Sequence, residues 1–388
     1  MLEEARGLRR RGHEVVCFVP TVDREACFPE IIRGLEVKPI LFVNLPRWFP
    51  DRLAAAVILS CVLFPLVALK FLKFDVVLGA NQPGPWFGWW LKKLLGKPYV
   101  IYLAQPTRHL YPRRIDRETG LRLKDGVTFL HFFVRLARPF IRWADRKSVK
   151  EADEMLVNGE YIQGVLERVY RRRGRVCAAG CWPMEWQKMR RRQPWEGEVR
   201  VAGRRIKKPF VLLTNRHFPQ KRFEYAILSL AWIREQRPDI RLVITGKETN
   251  YTRFLKQLVG QLGLEKEVVF LGLVGEEEWG RLYREAAVYV YTAPEEDFGM
   301  GVIEAMAAGV PVVAWRSGGP TVTVKDGETG FLVEPYKVEE FGRKVLRLLE
   351  DKGLNRRLGR AGWRRAKERF GYERHLDILE ESLRRVAG

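Results

Sequence analysis

Val288-Tyr289-Val290-Tyr291-Thr292-Ala293-Pro294-Glu295-Glu296-Asp297-Phe298-Gly299-Met300-Gly301-Val302-Ile303-Glu304 carries a strand, a loop and the first turn of a helix in one line. Val288 to Tyr291 is a short β-branched and aromatic run, the pattern of a buried strand. Pro294, Gly299 and Gly301 interrupt it. Met300 to Ala308 then reads as a helix, and Val312-Val313-Ala314 as the next strand. Strand, glycine-bearing loop, helix and strand make a βαβ step. In sheets built from such steps, ligands bind beyond the carboxyl ends of the strands.

The loop has the right chemistry for that place. Glycine lets a backbone come close to a ligand. A helix N-terminus offers free N–H groups and the positive end of a dipole to an anion. Glu296 lies in the loop and Glu304 in the helix behind it, so two carboxylates can address different parts of one ligand. A nucleotide sugar presents an anion and several hydroxyls together. A solvated helix glutamate and a glycine turn would also satisfy the bare spacing of Glu296 and Glu304. That plainer reading leaves the run Glu304-Ala-Met-Ala-Ala-Gly-Val-Pro-Val-Val-Ala unexplained.

Working outward, the same alternation continues in both directions. Strands are expected at Phe210–Thr214, Arg241–Thr245 and Val268–Leu271, and helices at Phe223–Arg234, Thr252–Leu262 and Glu276–Ala286. Earlier, a helix over Leu2–Arg11 precedes strands at Glu14–Val19, Asp75–Gly79, Pro98–Leu103 and Glu154–Asn158. The class is α/β: two Rossmann-like, doubly wound parallel sheets covered by helices and facing a cleft. With 388 residues, two domains are the natural division. The expected boundaries are 1–190 for a first domain and 200–370 for a second, the one whose loop after Tyr291 suits a nucleotide sugar. A helix within 371–388 is expected to pack back toward the first domain. Residues 183–208, rich in Arg, Trp, Gly and Pro, read as the connection.

Composition narrows the function classes. Hydrophobic residues make up 46% and charged ones 30%, enough for sizeable cores and too polar for a wholly membrane-embedded chain. The net charge of +22 favours anionic partners: nucleotide phosphates, lipid head groups or nucleic acid. Runs such as Arg9-Arg10-Arg11, Arg171-Arg172-Arg173 and Arg190-Arg191-Arg192 also suit a merely solvated basic surface. No zinc-finger, RRM or KH signature occurs, so nucleic acid is not expected as a partner. The five cysteines include no Cys-x-x-Cys pair. No metal is expected from them, and a reduced, cytoplasmic setting is.

The motifs together resemble the retaining glycosyltransferases of family 4, which have the GT-B fold. Glu296-x7-Glu304 and the run behind it resemble the family's donor motif. Thr214-Asn215-Arg216-His217-Phe218-Pro219-Gln220-Lys221 is similar to its Arg…Lys pair. Phe270-Leu271-Gly272, Gly318-Gly319-Pro320 and Asp326-Gly327-Glu328-Thr329-Gly330-Phe331-Leu332-Val333 resemble its further step and closing loops. In the first domain, Arg10-Arg11-Gly12-His13-Glu14-Val15 and Asn158-Gly159-Glu160-Tyr161 also match. The resemblance implies that Arg216 and Lys221 hold the donor diphosphate and stabilise the leaving group. Glu304 would take the ribose and Glu296 the donor sugar. Backbone N–H groups around Phe298, Gly299, Met300 and Gly301 would line the sugar and phosphate. No cofactor or metal is implied.

Tyr102-Leu103-Ala104-Gln105-Pro106-Thr107-Arg108-His109-Leu110-Tyr111-Pro112 resembles a subgroup segment reading His-x-Pro-x-Arg-x-Leu-Tyr. The family's active-site histidine then falls on Ala104. Gln105, Arg108 and His109 remain as candidates for acceptor or phosphate contact, or as a plain basic loop. The same segment favours GDP-mannose as donor and leaves UDP-sugars open. The implied acceptor is a glycan or a lipid-linked species, in cell-envelope polysaccharide or glycolipid synthesis. Family members open with a strand and a glycine-rich loop ahead of the helix that here begins near Leu2, so that first strand is expected to be missing. A catalytically impaired relative serving as a binding subunit is the alternative to an active enzyme. A basic nucleic-acid-binding protein is the more distant one.

One further stretch stands out. Leu53 to Leu69 is uncharged and flanked by Arg52 and Lys70. A membrane span needs about 20 apolar residues, and Pro65 would kink this one. It reads as a buried or cleft-lining helix, a helix dipping into one leaflet, or a span. Trp86 to Lys93 and Phe129 to Trp143 interleave aromatic and basic residues, which suits a phospholipid interface. The expected location is cytoplasmic, peripheral at the inner face of the cell membrane.

Overall fold

Short strands with apolar residues at every position need cover on both faces, and the chain supplies it twice. The computed structural model describes residues 2–20, 34–41, 52–120, 136–181 and 195–388. In the second half six strands form one parallel sheet in the order β11-β10-β9-β12-β13-β14. They are β9 (Phe210–Thr214), β10 (Arg241–Thr245), β11 (Val268–Gly272), β12 (Val288–Tyr291), β13 (Val312–Trp315) and β14 (Gly330–Val333). Side chains alternate across the sheet, as a period of two requires. Val211, Leu213, Leu242 and Ile244 join one core with Phe341, Val345 and Leu349 of the helix Val338–Glu350. Phe210, Leu212 and Val243 join the other, with Val302, Ile303 and Met306 of the helix Met300–Ala307.

The first half repeats the plan with fewer strands. β3 (Val77–Ala80), β4 (Tyr99–Leu103), β5 (Glu154–Val157) and β6 (Arg175–Val176) lie parallel in that order. β1 (Val16–Val19) and β2 (Glu36–Pro39) pair parallel as a separate ribbon. Tyr99, Ile101 and Leu103 enter one core, while Val100 and Tyr102 enter the one that faces the last helix, Tyr372–Ala387.

Three expectations change. The stretch expected to be connection forms an antiparallel hairpin over part of its length, β7 (Glu198–Val201) with β8 (Arg204–Lys207). Val199, Val201 and Ile206 bury while their neighbours stay wet. Four-residue alternation inside an arginine-rich stretch is too brief to register as a strand from sequence. Residues 182–194, including Arg190 to Arg192, lie outside the described residues. Within the expected closing loop, Gly330–Val333 is a fully buried edge strand paired with β13. Last, the uncharged run divides at Pro65 into the α-helix Arg52–Leu63 and a 3-10 helix, Phe64–Phe71. Among the described residues no helix is long and apolar enough to cross a membrane. Phe64, Ala68 and Phe71 turn into a core, while Val62, Leu66, Leu69 and Leu72 face outward.

The chain leaves the first half after Cys181 and returns at Gly371. The two passages run side by side: Cys181 N–H donates to the Phe370 carbonyl at 2.8 Å and Tyr372 N–H to the Cys181 carbonyl at 3.1 Å. The last helix then packs on the first helix, Leu2–Arg10, and on β4 and β5. There His375 is buried between Glu4 and Cys177, its Nε2 3.4 Å from the Glu4 carboxylate and its Nδ1 3.3 Å from the Cys177 sulfur.

Candidate active site

The carboxyl ends of β9 and β12, neighbours at the centre of the second sheet, meet at one floor. Thr214 ends β9, and its hydroxyl lies 2.6 Å from Tyr283 Oη and 3.0 Å from Tyr289 Oη. Tyr283 Oη in turn donates to Glu304 at 2.9 Å. Glu304 therefore stands on a tyrosine platform rather than on an outer helix face, which removes the plainer surface reading of that residue. Burial pushes its carboxyl up to about 7, against the Tyr283 hydrogen bond that favours the charge.

Glu296 is held differently. The Lys221 ammonium donates to its carboxylate. Burial opposes the charge, but Lys221, with Arg113 beyond it, keeps the carboxyl below the ordinary glutamate range. Lys221 owes its place to the turn Pro219–Lys221 after β9, whose last carbonyl accepts from the Thr292 hydroxyl at 3.1 Å. Arg216 in the same loop is exposed, its guanidinium 5.5 Å from the Phe218 ring, and among the described residues no carboxylate pairs with it. His217 between them is a buried anchor. It lies 2.9 Å from the Thr252 hydroxyl, and burial lowers it to about 4, so the ring is neutral.

The loop 295–298 is pressed against Ser317, Gly318 and Gly319. The Gly319 N–H donates to the Glu296 carbonyl at 2.6 Å, and the Ser317 hydroxyl accepts from the Glu295 N–H at 2.9 Å. Gly318 has φ +69°, and a Cβ there would sit 2.3 Å from the Glu296 carbonyl oxygen. Only glycine allows both that turn and that approach. Gly301 is forced for another reason: its Cβ would lie 2.1 Å from Tyr289 Oη. Phe298 is buried with its ring edge-on to Phe370, so its side chain is structural and only its backbone is available to a ligand. Gly299 caps the helix Met300–Ala307 and Met300 is exposed at its first turn.

Segment 104–118 of the first half closes over this loop. Arg108 pairs with Asp297, and Arg113 lies 3.9 Å from the same carboxylate. Arg113 also donates to the Glu295 carbonyl at 3.0 Å and pairs with Asp116 at 2.8 Å. The Ile115 N–H donates to the Glu295 carboxylate at 2.8 Å. Burial raises the Asp297 carboxyl, with Arg108 and Arg113 pulling the other way. Of the candidates on the acceptor side, Arg108 is thus occupied by Asp297, with Gln105 3.3 Å from its Nε. Gln105 and His109 are exposed. The Ala104 N–H is bound by the Asn81 side chain at 2.9 Å. Thr214, Tyr283, Tyr289, Arg113 and Asp297 were not singled out from sequence. Asp297 sits inside the quoted motif and its acid next to Glu296 was the available signal. The tyrosines carried none, because strand and helix tyrosines read as core.

Two family models match the chain, Glycosyltransferase Family 4 over residues 1–179 and Glycosyl transferases group 1 over residues 198–365. The chain is 28% identical to the alpha-1,3/1,6-mannosyltransferase alg-2 of Neurospora crassa, over all of this chain and 87% of that protein. It is 35% identical to a D-inositol 3-phosphate glycosyltransferase of Streptomyces avermitilis over 42% of this chain and 36% of the other. The sucrose-phosphate synthase structure from Thermosynechococcus elongatus superposes with a TM-score of 0.73 at 19% identity, over 99% of this chain and 91% of that one. HepE of Anabaena, solved with UDP and glucose, superposes with a TM-score of 0.68 at 20% identity, over 99% and 94%. Both structural matches place the two sheets in the GT-B arrangement.

Proposed function

This chain belongs to glycosyltransferase family 4, and from that premise we propose that it moves a hexose, with retention of configuration, from a nucleoside-diphosphate sugar to a glycan or lipid-linked acceptor. The observation that carries the proposal is the Lys221–Glu296 pair at the strand ends, with Glu304 on its tyrosine platform nearby. Without donor, Lys221 neutralises Glu296. A diphosphate arriving between Arg216 and Lys221 draws on the same ammonium and releases Glu296 oxygen atoms for sugar hydroxyls. Glu304 accepts from the ribose hydroxyls. The two cations stabilise the charge that builds on the diphosphate as its bond to the anomeric carbon breaks. The acceptor hydroxyl attacks on the face that the diphosphate leaves, and its proton passes to a diphosphate oxygen. No separate base is then required, which suits Ala104 where family members have histidine.

Mannose from GDP-mannose is the favoured donor, and relatives aligned over the whole chain are named mannosyltransferases. UDP-sugars stay open. No metal or cofactor is assigned. Ala104 favours one competing reading, a silent relative that binds donor without turnover. Donor consumption with GDP-mannose and UDP-glucose tests both. Turnover that falls by about 10²–10³ in Lys221→Ala is the expected result. Nucleotide binding without turnover supports the silent relative, and no nucleotide binding at all removes the donor site. The work is proposed to take place at the cytoplasmic face of a membrane, where exposed Leu66, Leu69 and Leu72 with Lys70 and Lys73 would contact lipid. Sedimentation with phosphatidylglycerol vesicles at low salt checks this, and a protein that stays in the supernatant rules it out.

A further inference from the structure

A cavity of about 590 Å³ opens on the first-half side of the loop that carries Glu296. Glu295 and Asp297, the two neighbours of Glu296, form part of its wall. Both carboxylates are already engaged, Asp297 by Arg108 and Glu295 by the Ile115 N–H. Around them the wall brings seven arginines. Arg113 and Arg114 have acids of their own, Asp116 and Glu118. Arg117, Arg138, Arg142 and Arg168 face the cavity, and no carboxylate among the described residues is paired with them.

Their arrangement is built rather than scattered. Arg138 and Arg142 are one turn apart on the helix Arg138–Lys150, and both aim at the Leu110 carbonyl, at 3.5 and 3.1 Å. Arg142 also lies 5.4 Å from the Tyr111 ring. Guanidinium groups gathered round one space repel each other, and low-dielectric walls concentrate their field. A bound anion removes that repulsion. A carboxylate satisfies one guanidinium fork, whereas a phosphate or diphosphate has oxygens for several. The volume is that of a small-molecule site.

We propose that this cavity holds a phosphate or diphosphate group of the acceptor, bound by Arg117, Arg142 and Arg168 with Arg138 at its edge. The proposal rests on the glycosyl-transfer reading and names its acceptor class. The position explains the use: an acceptor anchored by its phosphate beside Glu295 and Asp297 brings its adjoining hydroxyls up to the sugar end of the donor site at Glu296. The same helix carries Phe140 and Trp143, exposed and stacked at 5.7 Å, on the face turned away from Arg138 and Arg142. That side accommodates a lipid tail, but a free phosphosugar satisfies the arginines equally well. The shared chemistry is the phosphate.

The test is calorimetric titration of inorganic pyrophosphate into the full chain, first saturated with whichever of GDP or UDP it binds. Pyrophosphate is expected to bind with the donor site filled. Arg142→Gln/Arg168→Gln should weaken that binding by about tenfold per arginine while keeping the wild-type melting temperature and nucleotide affinity. Pyrophosphate that no longer binds once nucleotide is present, or that binds the double variant equally well, overturns the proposal and leaves the donor site standing. Loss in the double variant of a protein that binds neither nucleotide supports the cavity while removing the donor assignment. Glucuronate binding as tightly as pyrophosphate overturns the phosphate assignment. Mannose 6-phosphate and farnesyl diphosphate, titrated in parallel, distinguish a free phosphosugar from a lipid-linked diphosphate by which one binds more tightly.

Discussion

At the scale of single residues, Glu296 and Glu304 are two carboxylates with opposite electrostatics. Lys221 keeps the first ionised, and burial pushes the second up to about 7. For Glu304 the sign follows from proton binding. From about 4.5, its unfolded value, to about 7, the folded state holds the proton and the unfolded state does not. Stability from this group is therefore full at low pH and lost as pH rises across that window, by about 3 kcal/mol. Glu304→Gln removes the loss. Its melting temperature should gain on wild type between pH 5 and pH 8, and calorimetry that finds a constant offset would reject the elevated carboxyl. With Glu304 proposed as the ribose acceptor, its charged form binds hydroxyls more strongly, so wild-type affinity for nucleotide should rise over the same window and that of Glu304→Gln stay low and flat. Motif reading named Glu296 and Glu304 from one contiguous loop and helix start, and the family resemblance implied Arg216 and Lys221. It did not reach Tyr283 or Thr214. Their hydroxyls converge only when separate strands and a helix are assembled, and in sequence they are indistinguishable from packing residues.

At the scale of elements, the segment after β4 holds the loop after β12 through Arg108, Arg113 and the Ile115 N–H. Arg108 was read as an acceptor candidate, and its partner across the cleft was invisible because nothing in either segment names the other. Removing Arg108 leaves the buried Asp297 with Arg113 alone. Breaking a buried pair from one side costs about 3–5 kcal/mol. Arg108→Ala should speed amide exchange in 104–118 and 295–298 by orders of magnitude, while Arg108→Ala/Asp297→Asn should recover part of the protection. Exchange that is unchanged in the single variant would mean that the contact does not hold the two halves together. Strands with apolar residues at every position were legible from sequence to within two or three residues. The hairpin of β7 and β8 was not, because its alternation covers too few positions to separate from a coil.

At the scale of the whole molecule, the first and last helices are joined by the buried His375. Burial works against its charge, but Cys177 and Glu4 outweigh it and keep the imidazolium to about 10. A raised basic group stabilises fully below its unfolded value, about 6.5, and its contribution is lost as pH rises to about 10. The wild type should therefore lose melting temperature over that range relative to His375→Gln, whose own deficit of about 3 kcal/mol or more near pH 6.5 reflects the lost pair. Parallel pH profiles for the two proteins would contradict the charged imidazole.

The paired passages at Cys181 and Gly371 have a mechanical consequence. Two connections fastened side by side act as one joint, and a joint of that kind permits rotation about an axis through it and resists sliding or twist. Any relative movement of the two halves would therefore pivot at these paired passages. A cleft pivoting there would open widest at the end far from Cys181 and Gly371.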